Sequence, residues 1–269
     1  MNDIIHYLQS LDIFSWQIIT LLIVSGFVVG FINTMAGSGS AIVFYIFTLL
    51  GLSSQYANGT VRLGVLLQTL VASLNFRKQK LLAVKKGLWL GIPTVIGSLI
   101  GAQFAATLEE ENFELVIGSF MLLMLVFVLI KPERWIKGKA GLIKDKPTYL
   151  QILIFFVIGL YGGFIHIGVG IFLLAGLVLN AGYDIVTANA LKVFIVLLYA
   201  PFALAVFIYH GQIDYGIGLI SAIGNLGGGY VASKYAGKWG GNFIRWFLIV
   251  VLIIFASNLL GITNLIFNG

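Results

Sequence analysis

Two similar glycine-rich stretches give the clearest indication of the fold of this chain. They are residues 26–40, GFVVGFINTMAGSGS, and residues 159–170, GLYGGFIHIGVG. Aligned on their first glycines, they match GFVVGFIN with GLYGGFIH, and the same offset places Gly37 on Gly170. Glycine clusters that interrupt apolar segments at corresponding positions of two halves are typical of a repeat built around broken helices.

The correspondence between the two halves continues beyond these stretches. Two groups of residues recur in order: Ala57-Asn58 with Ala188-Asn189, and Gly91, Gly97 and Gly101 with Gly218, Gly224 and Gly228. Glycines four residues apart let helix backbones approach closely in lipid. The recurrence therefore predicts an internal repeat with matching helix contacts.

The composition is that of a membrane protein. Hydrophobic residues make up 59% of the 269 residues and charged residues only 10%, whereas soluble domains have about 25% charged residues. The mean hydropathy is +1.03. A soluble domain cannot bury so much apolar surface, so the chain is predicted to be a polytopic membrane protein. The absence of cysteine excludes disulfides, cysteine-ligated metals and thiol catalysis.

Ten apolar runs predict the membrane segments. They cover residues 17–35, 38–51, 57–75, 87–107, 112–131, 149–167, 169–181, 188–209, 213–233 and 243–262. A helix that crosses the hydrocarbon needs about 20 residues, so six or seven of these runs are long enough. The runs 38–51 and 169–181 are too short, and each follows a glycine-rich break. Each is therefore predicted to form part of a broken or re-entrant hairpin.

The basic residues predict the orientation. Fourteen of the sixteen Lys and Arg residues lie in the segments 77–86, 131–146 and 234–245. The positive-inside rule places these segments in the cytoplasm, and the loops 107–112 and 210–214, which lack basic residues, outside. The positive net charge of +6 thus follows from topology and does not indicate nucleic-acid binding.

Together these patterns predict an all-α protein of two inverted-topology repeats, each with about five helical segments. The first repeat covers residues 1–131 with its break near 33–40. A basic cytoplasmic linker follows at 132–148. The second repeat covers residues 149–269 with its break near 163–171. Secondary transporters are often built in this way.

Two basic residues remain inside apolar runs. Arg62 and Lys192 lie eight or nine residues into helices that are predicted to begin, with side-chain caps, near Ser53 and Asp184. The only acidic residues in the predicted spans, Glu114 and Asp214, lie at the outer ends of the runs 112–131 and 213–233, so neither is deep in the membrane. A cation near the membrane centre costs at least about 2.5–3.5 kcal/mol. Either a bound anion, or backbone carbonyls and snorkelling to an interface, would offset this cost.

The two breaks and the two cations predict one anion site. Half-helix N-termini favour anions, and glycines allow close approach of a ligand to the backbone. His166 is also a candidate to carry a coupling proton. The polar side chains have a second interpretation, which is packing between helices. The candidate substrate-binding residues are Asn33, Gly37, Ser38, Gly39, Ser40, Asn58, Thr60, Arg62, His166, Gly168, Gly170, Asn189 and Lys192.

Four motifs resemble the TauE/SafE sulfite-exporter family. They are GFINTMAGSGSAIVF at 30–44, YANGTVRL at 56–63, GGFIHIGVGIF at 162–172 and TANALKVFIVLLYAPFAL at 187–204. The resemblance covers residues 17–262. It implies a transporter of small anions in the plasma membrane (the bacterial inner membrane), with sulfite, sulfoacetate and related organosulfur compounds as substrates.

Several functions remain open at the level of sequence. The mechanism expected for two repeats is alternating access around a central site. A passive anion channel is an alternative, because the same cations could line a pore. An intramembrane serine hydrolase would use Ser38 and His166. We expect a transporter without enzymatic activity, cofactor or metal. Its expected partners are a small anion and the lipid bilayer, with a coupling ion or proton, the direction of transport and the oligomeric state left open.

Overall fold

The computed structural model describes residues 11–111, 113, 116, 140–143 and 146–259. Helices dominate these residues and no strand occurs among them, so the all-α prediction is confirmed. Most of the predicted segment 112–131 and of the basic segment 131–146 lies outside the described residues. The α-helices are α1 (Trp16–Met35), α2 (Ser40–Leu49), α3 (Ser54–Lys78), α4 (Val84–Thr107), α5 (Tyr149–Phe164), α6 (Val169–Ala175), α7 (Ile185–Tyr209) and α8 (Tyr215–Leu259).

The first break interrupts an apolar segment that is otherwise helical. Helix α1 ends where Gly37 adopts φ +86°, a conformation that glycine reaches without a steric penalty. Helix α2 then begins after Gly39 and runs for ten residues, or about 15 Å. It is too short to cross the hydrocarbon alone.

The second break has the same form. Helix α5 begins with a capping box between Thr148 and Gln151 and ends before Ile165, whose backbone is extended. Helix α6 begins after Gly168, at φ +72°, and continues as a π-helix over Gly176–Asn180. The predicted interruptions are therefore both present in the structure.

Four of the described helices are long and apolar enough to span a membrane. They are α1, α3, α4 and α7. Helix α8 bends at Gly240, which has φ +72° and ψ 177° and lies between the two apolar runs predicted at 213–233 and 243–262. Many large apolar side chains on these helices are exposed, such as Ile96 and Phe104 on α4. This is the surface expected for contact with lipid.

Glycines allow two pairs of helices to pack in close contact. On α4, a Cβ atom at Gly101 would lie 1.9 Å from the carbonyl oxygen of Leu160 on α5. On α8, a Cβ atom at Gly228 would lie 2.0 Å from the carbonyl oxygen of Phe27 on α1. Gly228 is the repeat counterpart of Gly101, and Phe27 is that of Leu160. The α1–α8 and α4–α5 contacts are thus built from corresponding residues.

Replacing Gly101 with alanine should destabilise the α4–α5 pair. The new methyl group overlaps a backbone carbonyl, so the helices must separate at an overpacking cost of about 1–3 kcal/mol. A lower Tm of the detergent-purified protein would report this loss. Gly141→Ala is the control, since a Cβ atom there meets none of the described residues within 4 Å and should leave the Tm unchanged. Equal Tm values for both variants would contradict the close packing.

Candidate functional site

The two breaks touch each other at the centre of the structure. The backbone N–H of Gly170 donates a hydrogen bond to the carbonyl oxygen of Gly37, with an N–O distance of 3.2 Å. A Cβ atom at Gly37 would lie 2.4 Å from the Cα atom of Gly170. Gly37 and Gly170 are counterparts in the repeat. The structure therefore brings the two glycine-rich stretches into direct contact.

Lys192 on α7 holds the end of α1. Its Nζ atom donates to the carbonyl oxygens of Asn33 and Thr34, at 3.1 and 3.0 Å, and the side chain is 1% exposed. Carbonyls in the last turn of a helix lack intrahelical partners and carry a partial negative charge. The ammonium group has three hydrogens, so one remains after these two bonds.

Arg62 on α3 holds the end of α5 in the same manner. Its Nη1 and Nη2 atoms donate to the carbonyl oxygens of Gly162 and Gly163, at 3.2 and 2.5 Å. The guanidinium carbon lies 4.6 Å from the centre of the Phe207 ring, a cation–π contact. Each buried cation thus bonds to the broken helix of the other half. Backbone carbonyls, one of the two partners considered for these cations, are what the structure provides.

The predicted caps of α3 and α7 differ. Asp184 caps α7, because its Oδ1 atom accepts from the backbone N–H groups of Val186 and Thr187, each at 3.0 Å. Ser53 stands at the corresponding position before α3, but its side chain makes no capping hydrogen bond. The capping prediction is confirmed for Asp184 and wrong for Ser53.

This difference predicts different effects of two alanine substitutions. Asp184→Ala should lower the free energy of unfolding by about 0.5–2 kcal/mol, because two backbone N–H groups lose their acceptor. Ser53→Ala removes no cap bond and should leave stability nearly unchanged. Thermal unfolding of both variants in the same detergent checks the pair, and a larger loss for Ser53→Ala would contradict the assignment.

A small cavity lies beside the contact between the two breaks. Its volume is about 10 Å³, which is about the room that one water molecule needs. The residues around it are Asn33, Gly37, Gln68, Thr69, His166, Val169, Gly170, Lys192, Val193 and Val196. Five of the predicted site residues therefore share one cavity, and Lys192 supplies its positive charge. No Asp or Glu occurs in α1 to α8, so nothing on these helices neutralises that charge with an acidic group.

Polar side chains form hydrogen bonds at both breaks. Asn33 Nδ2 donates to Ser40 Oγ at 2.8 Å, and Asn33 Oδ1 accepts from the Ser40 backbone N–H at 3.1 Å, so α1 is joined to α2. Asn58 Nδ2 donates to the carbonyl oxygen of Phe164 at 2.8 Å. Asn189 and Ser38 are also buried, but the side chains of both lack hydrogen-bond partners among the described residues.

The ring of His166 is held by a tyrosine. Its Nδ1 atom lies 3.1 Å from the hydroxyl oxygen of Tyr199, and the ring lines the cavity. A Ser–His hydrolase would need a hydrogen bond from Ser38 to His166. The described residues contain no such bond, since Ser38 Oγ has no hydrogen-bond partner among them. The arrangement gives no support to catalysis by this pair.

The other predicted residues lie outside the cavity lining. Thr60 Oγ1 accepts from the backbone N–H of Asp214 at 2.9 Å, a contact between α3 and the start of α8. Gly39 and Gly168 are the N-caps of α2 and α6. Arg62 bonds to the end of α5, as described above.

Some residues at or beside the cavity were not indicated by the sequence motifs. Gln68 and Thr69 on α3 lie on its wall, and Tyr199 on α7 positions His166. Their helical spacing from the two cations could have identified Thr69 and Tyr199 in the sequence. Thr69 lies seven residues after Arg62, and Tyr199 seven residues after Lys192, so each shares a helix face with its cation.

Known proteins resemble the chain over most of its length. The family model described as sulfite exporter TauE/SafE matches residues 22–259. "Probable membrane transporter protein ORF9" of a Sinorhizobium species is 24% identical over 246 residues, which cover 91% of this chain and 94% of the relative. "Probable membrane transporter protein YunE" of Bacillus subtilis is 26% identical over 264 residues, with coverage of 89% and 96%. "Probable membrane transporter protein YfcA" of Escherichia coli K12 is 20% identical over 252 residues, with coverage of 94% and 93%. No solved structure matches the chain significantly.

Proposed function

Because the chain belongs to the sulfite exporter TauE/SafE family of membrane transporters, we propose that it carries sulfite or a related organosulfur anion through a site between its two broken helices. The observation that carries this proposal is the central cavity, where Lys192, His166 and the contact between Gly37 and Gly170 meet. A buried cation facing a polar cavity without an acidic side chain favours an anionic ligand.

The size of the cavity supports alternating access. Sulfite, a sulfur atom with three oxygens, needs more room than the single water molecule that the cavity accommodates. Binding therefore requires the two breaks to separate. A movement that opens the site toward one side of the membrane at a time is the mechanism of transporters with midplane sites.

The contacts between the two halves support two repeats related by a pseudo-two-fold axis, which the distribution of basic segments predicts to lie in the membrane plane. A residue and its repeat counterpart can touch only at an axis that relates them, and Gly37 and Gly170 do so. The α1–α8 and α4–α5 pairs use corresponding glycines on either side of that axis. We therefore retain the division into repeats at 1–131 and 149–269. The plasma-membrane location and the cytoplasmic placement of the segments 77–86, 131–146 and 234–245 belong to the same proposal.

Thermal stability against a panel of anions tests the substrate. Sulfite, thiosulfate, sulfate, sulfoacetate, taurine and short carboxylates are added to the detergent-purified protein. A ligand at 100 times its Kd adds about 2.7 kcal/mol when it binds only the folded state. We expect the Tm to rise with sulfite or another sulfur oxyanion. A panel without any shift would contradict the proposal.

A further inference from the structure

Two corresponding asparagines have different environments. Asn58 donates a hydrogen bond to the carbonyl oxygen of Phe164, at the end of α5. Asn189 is completely buried, yet neither its Oδ1 nor its Nδ2 atom has a hydrogen-bond partner in the part of the chain that the structure describes. A buried amide without partners destabilises the folded protein, because it has given up its bonds to water. Such a group calls for a specific explanation, and a ligand that supplies the missing partners is one.

The position of Asn189 places it next to the central cavity. It lies one turn before Lys192 on α7, on the same helix face. Further along that face, Val196 lines the cavity and Tyr199 contacts His166. The unpartnered amide therefore lies on the helix face that lines the cavity, one turn closer to the N-terminus of α7 than Lys192.

Two more unpartnered hydroxyl groups belong to the first break. Ser38 is 3% exposed and Thr34 is fully buried, and neither Oγ atom has a hydrogen-bond partner among the described residues. Ser38 comes just before α2, a ten-residue helix whose N-cap, Gly39, provides no side-chain cap; the first N–H of the helix, that of Ser40, donates to Asn33 Oδ1, and the N–H groups after it are not capped by a side chain. The free N–H groups and the dipole of a helix N-terminus attract an anion. The buried hydroxyl of Ser38 is an independent sign that a ligand completes this site.

Most polar groups at the second break have partners, with Arg62 Nε as an exception among the described residues. The carbonyl oxygens of Gly162 and Gly163 accept from Arg62, and that of Phe164 accepts from Asn58. The Tyr161 hydroxyl group donates to the carbonyl oxygen of Ile167 at 2.5 Å. These side chains satisfy the backbone where α5 ends and α6 begins, so most of their polar atoms are already engaged.

We infer that the anion site is one-sided, which means that the substrate is recognised at the first break alone. Lys192, Asn189 and Ser38 bind the anion there. Arg62 and Asn58 hold the second break in position. This inference rests on the proposed function and names the residues that recognise the substrate. The remaining ammonium hydrogen of Lys192, the Asn189 Nδ2 group and the Ser38 hydroxyl are all donors. Three donors around one ligand would suit an oxyanion, whose oxygens accept more than one hydrogen bond.

Asn189→Leu tests whether the Asn189 amide binds the ligand or stabilises the fold. Leucine has nearly the shape of asparagine, and removing an unpartnered amide should leave the Tm unchanged or raise it. Sulfite affinity should fall at least about tenfold, because the anion loses a hydrogen bond to a neutral donor. Sulfite titrations of the detergent-purified full chain, followed by Tm and by calorimetry, measure both quantities.

Three further variants control this experiment. Asn75→Leu makes the same change on α3, where the amide bonds to Ser233 away from the cavity, and should bind sulfite as tightly as the wild type. Asn58→Leu should lower the Tm, because the Phe164 carbonyl loses its donor. Ser38→Ala should weaken sulfite binding about fivefold without lowering the Tm, since the hydroxyl has no described partner in the folded chain.

The outcomes distinguish this inference from the proposed function. If the wild type binds sulfite and Asn189→Leu binds it equally well, the one-sided site is wrong although the transporter assignment stands. A Tm loss for Asn189→Leu as large as that for Asn58→Leu would likewise overturn it, because the amide would then be structural. Failure of the wild type to bind sulfite would overturn the sulfite proposal and this inference together.

Discussion

Lys192→Met should reduce sulfite binding and transport by about 100-fold, because charge-assisted hydrogen bonds contribute about 1.5–3 kcal/mol each. Lys192 is the lysine on the wall of the central cavity, and methionine removes its charge while keeping a long, flexible side chain. The carbonyl oxygens of Asn33 and Thr34 also lose their donor, so a lower Tm is expected as well. Uptake of labelled sulfite into proteoliposomes measures the functional effect.

Two variants make this result interpretable. Lys78→Met removes an equal charge from the exposed last turn of α3 and should transport at the wild-type rate. Lys192→Arg keeps the charge and should retain more transport than methionine, even if its larger head group fits the site poorly. Normal transport by folded Lys192→Met would remove the electrostatic basis of the proposed site.

Gly37→Ala should prevent stable assembly of the two halves and abolish transport. The residue adopts φ +86°, where an alanine costs about 1–2 kcal/mol in backbone strain alone. The added Cβ atom would also lie 2.4 Å from the Cα atom of Gly170, so the two breaks must move apart. This displaces the contact beside which the cavity lies. We therefore expect poor recovery of folded protein and no sulfite-dependent rise in Tm.

Gly51→Ala isolates the packing contribution. Gly51 also has a positive φ, +97°, but a Cβ atom there would have no described neighbour within 4 Å. Both substitutions carry the backbone strain, and only the one at Gly37 forces two chain segments apart. The difference between their Tm values measures the close approach of the breaks. Equal losses would show that the contact contributes nothing beyond backbone conformation.

The sequence was sufficient to predict the broken helices and the location of the two cations. Glycine has strong local effects on backbone conformation. The breaks at Gly37 and Gly168 could therefore be recognised from the glycine clusters and from their recurrence in the two halves. Long apolar runs likewise predicted the helices, since the hydrocarbon thickness fixes their length. The bend of α8 at Gly240 falls between two such runs.

The partners of the polar side chains could not be predicted in the same way. Backbone carbonyls are present at every residue, so no residue pattern indicates that Lys192 bonds to the end of α1. Corresponding residues also acquire different partners, as Asn58 and Asn189 do, and as Ser53 and Asp184 do at the helix starts. The Asn58 bond joins residues 106 positions apart in the sequence, a contact that only the folded structure reveals.

Counterflow of sulfite in proteoliposomes tests the central claim that this transporter moves a small sulfur oxyanion by alternating access. Vesicles that contain the full chain and are loaded with unlabelled sulfite are diluted into a trace of labelled sulfite. A carrier exchanges one for the other, so label should accumulate transiently above its equilibrium level, and Lys192→Met vesicles should show no such overshoot. Label that equilibrates without an overshoot in wild-type vesicles would indicate a passive channel, and label that does not enter at all would contradict the assignment of sulfite as the substrate.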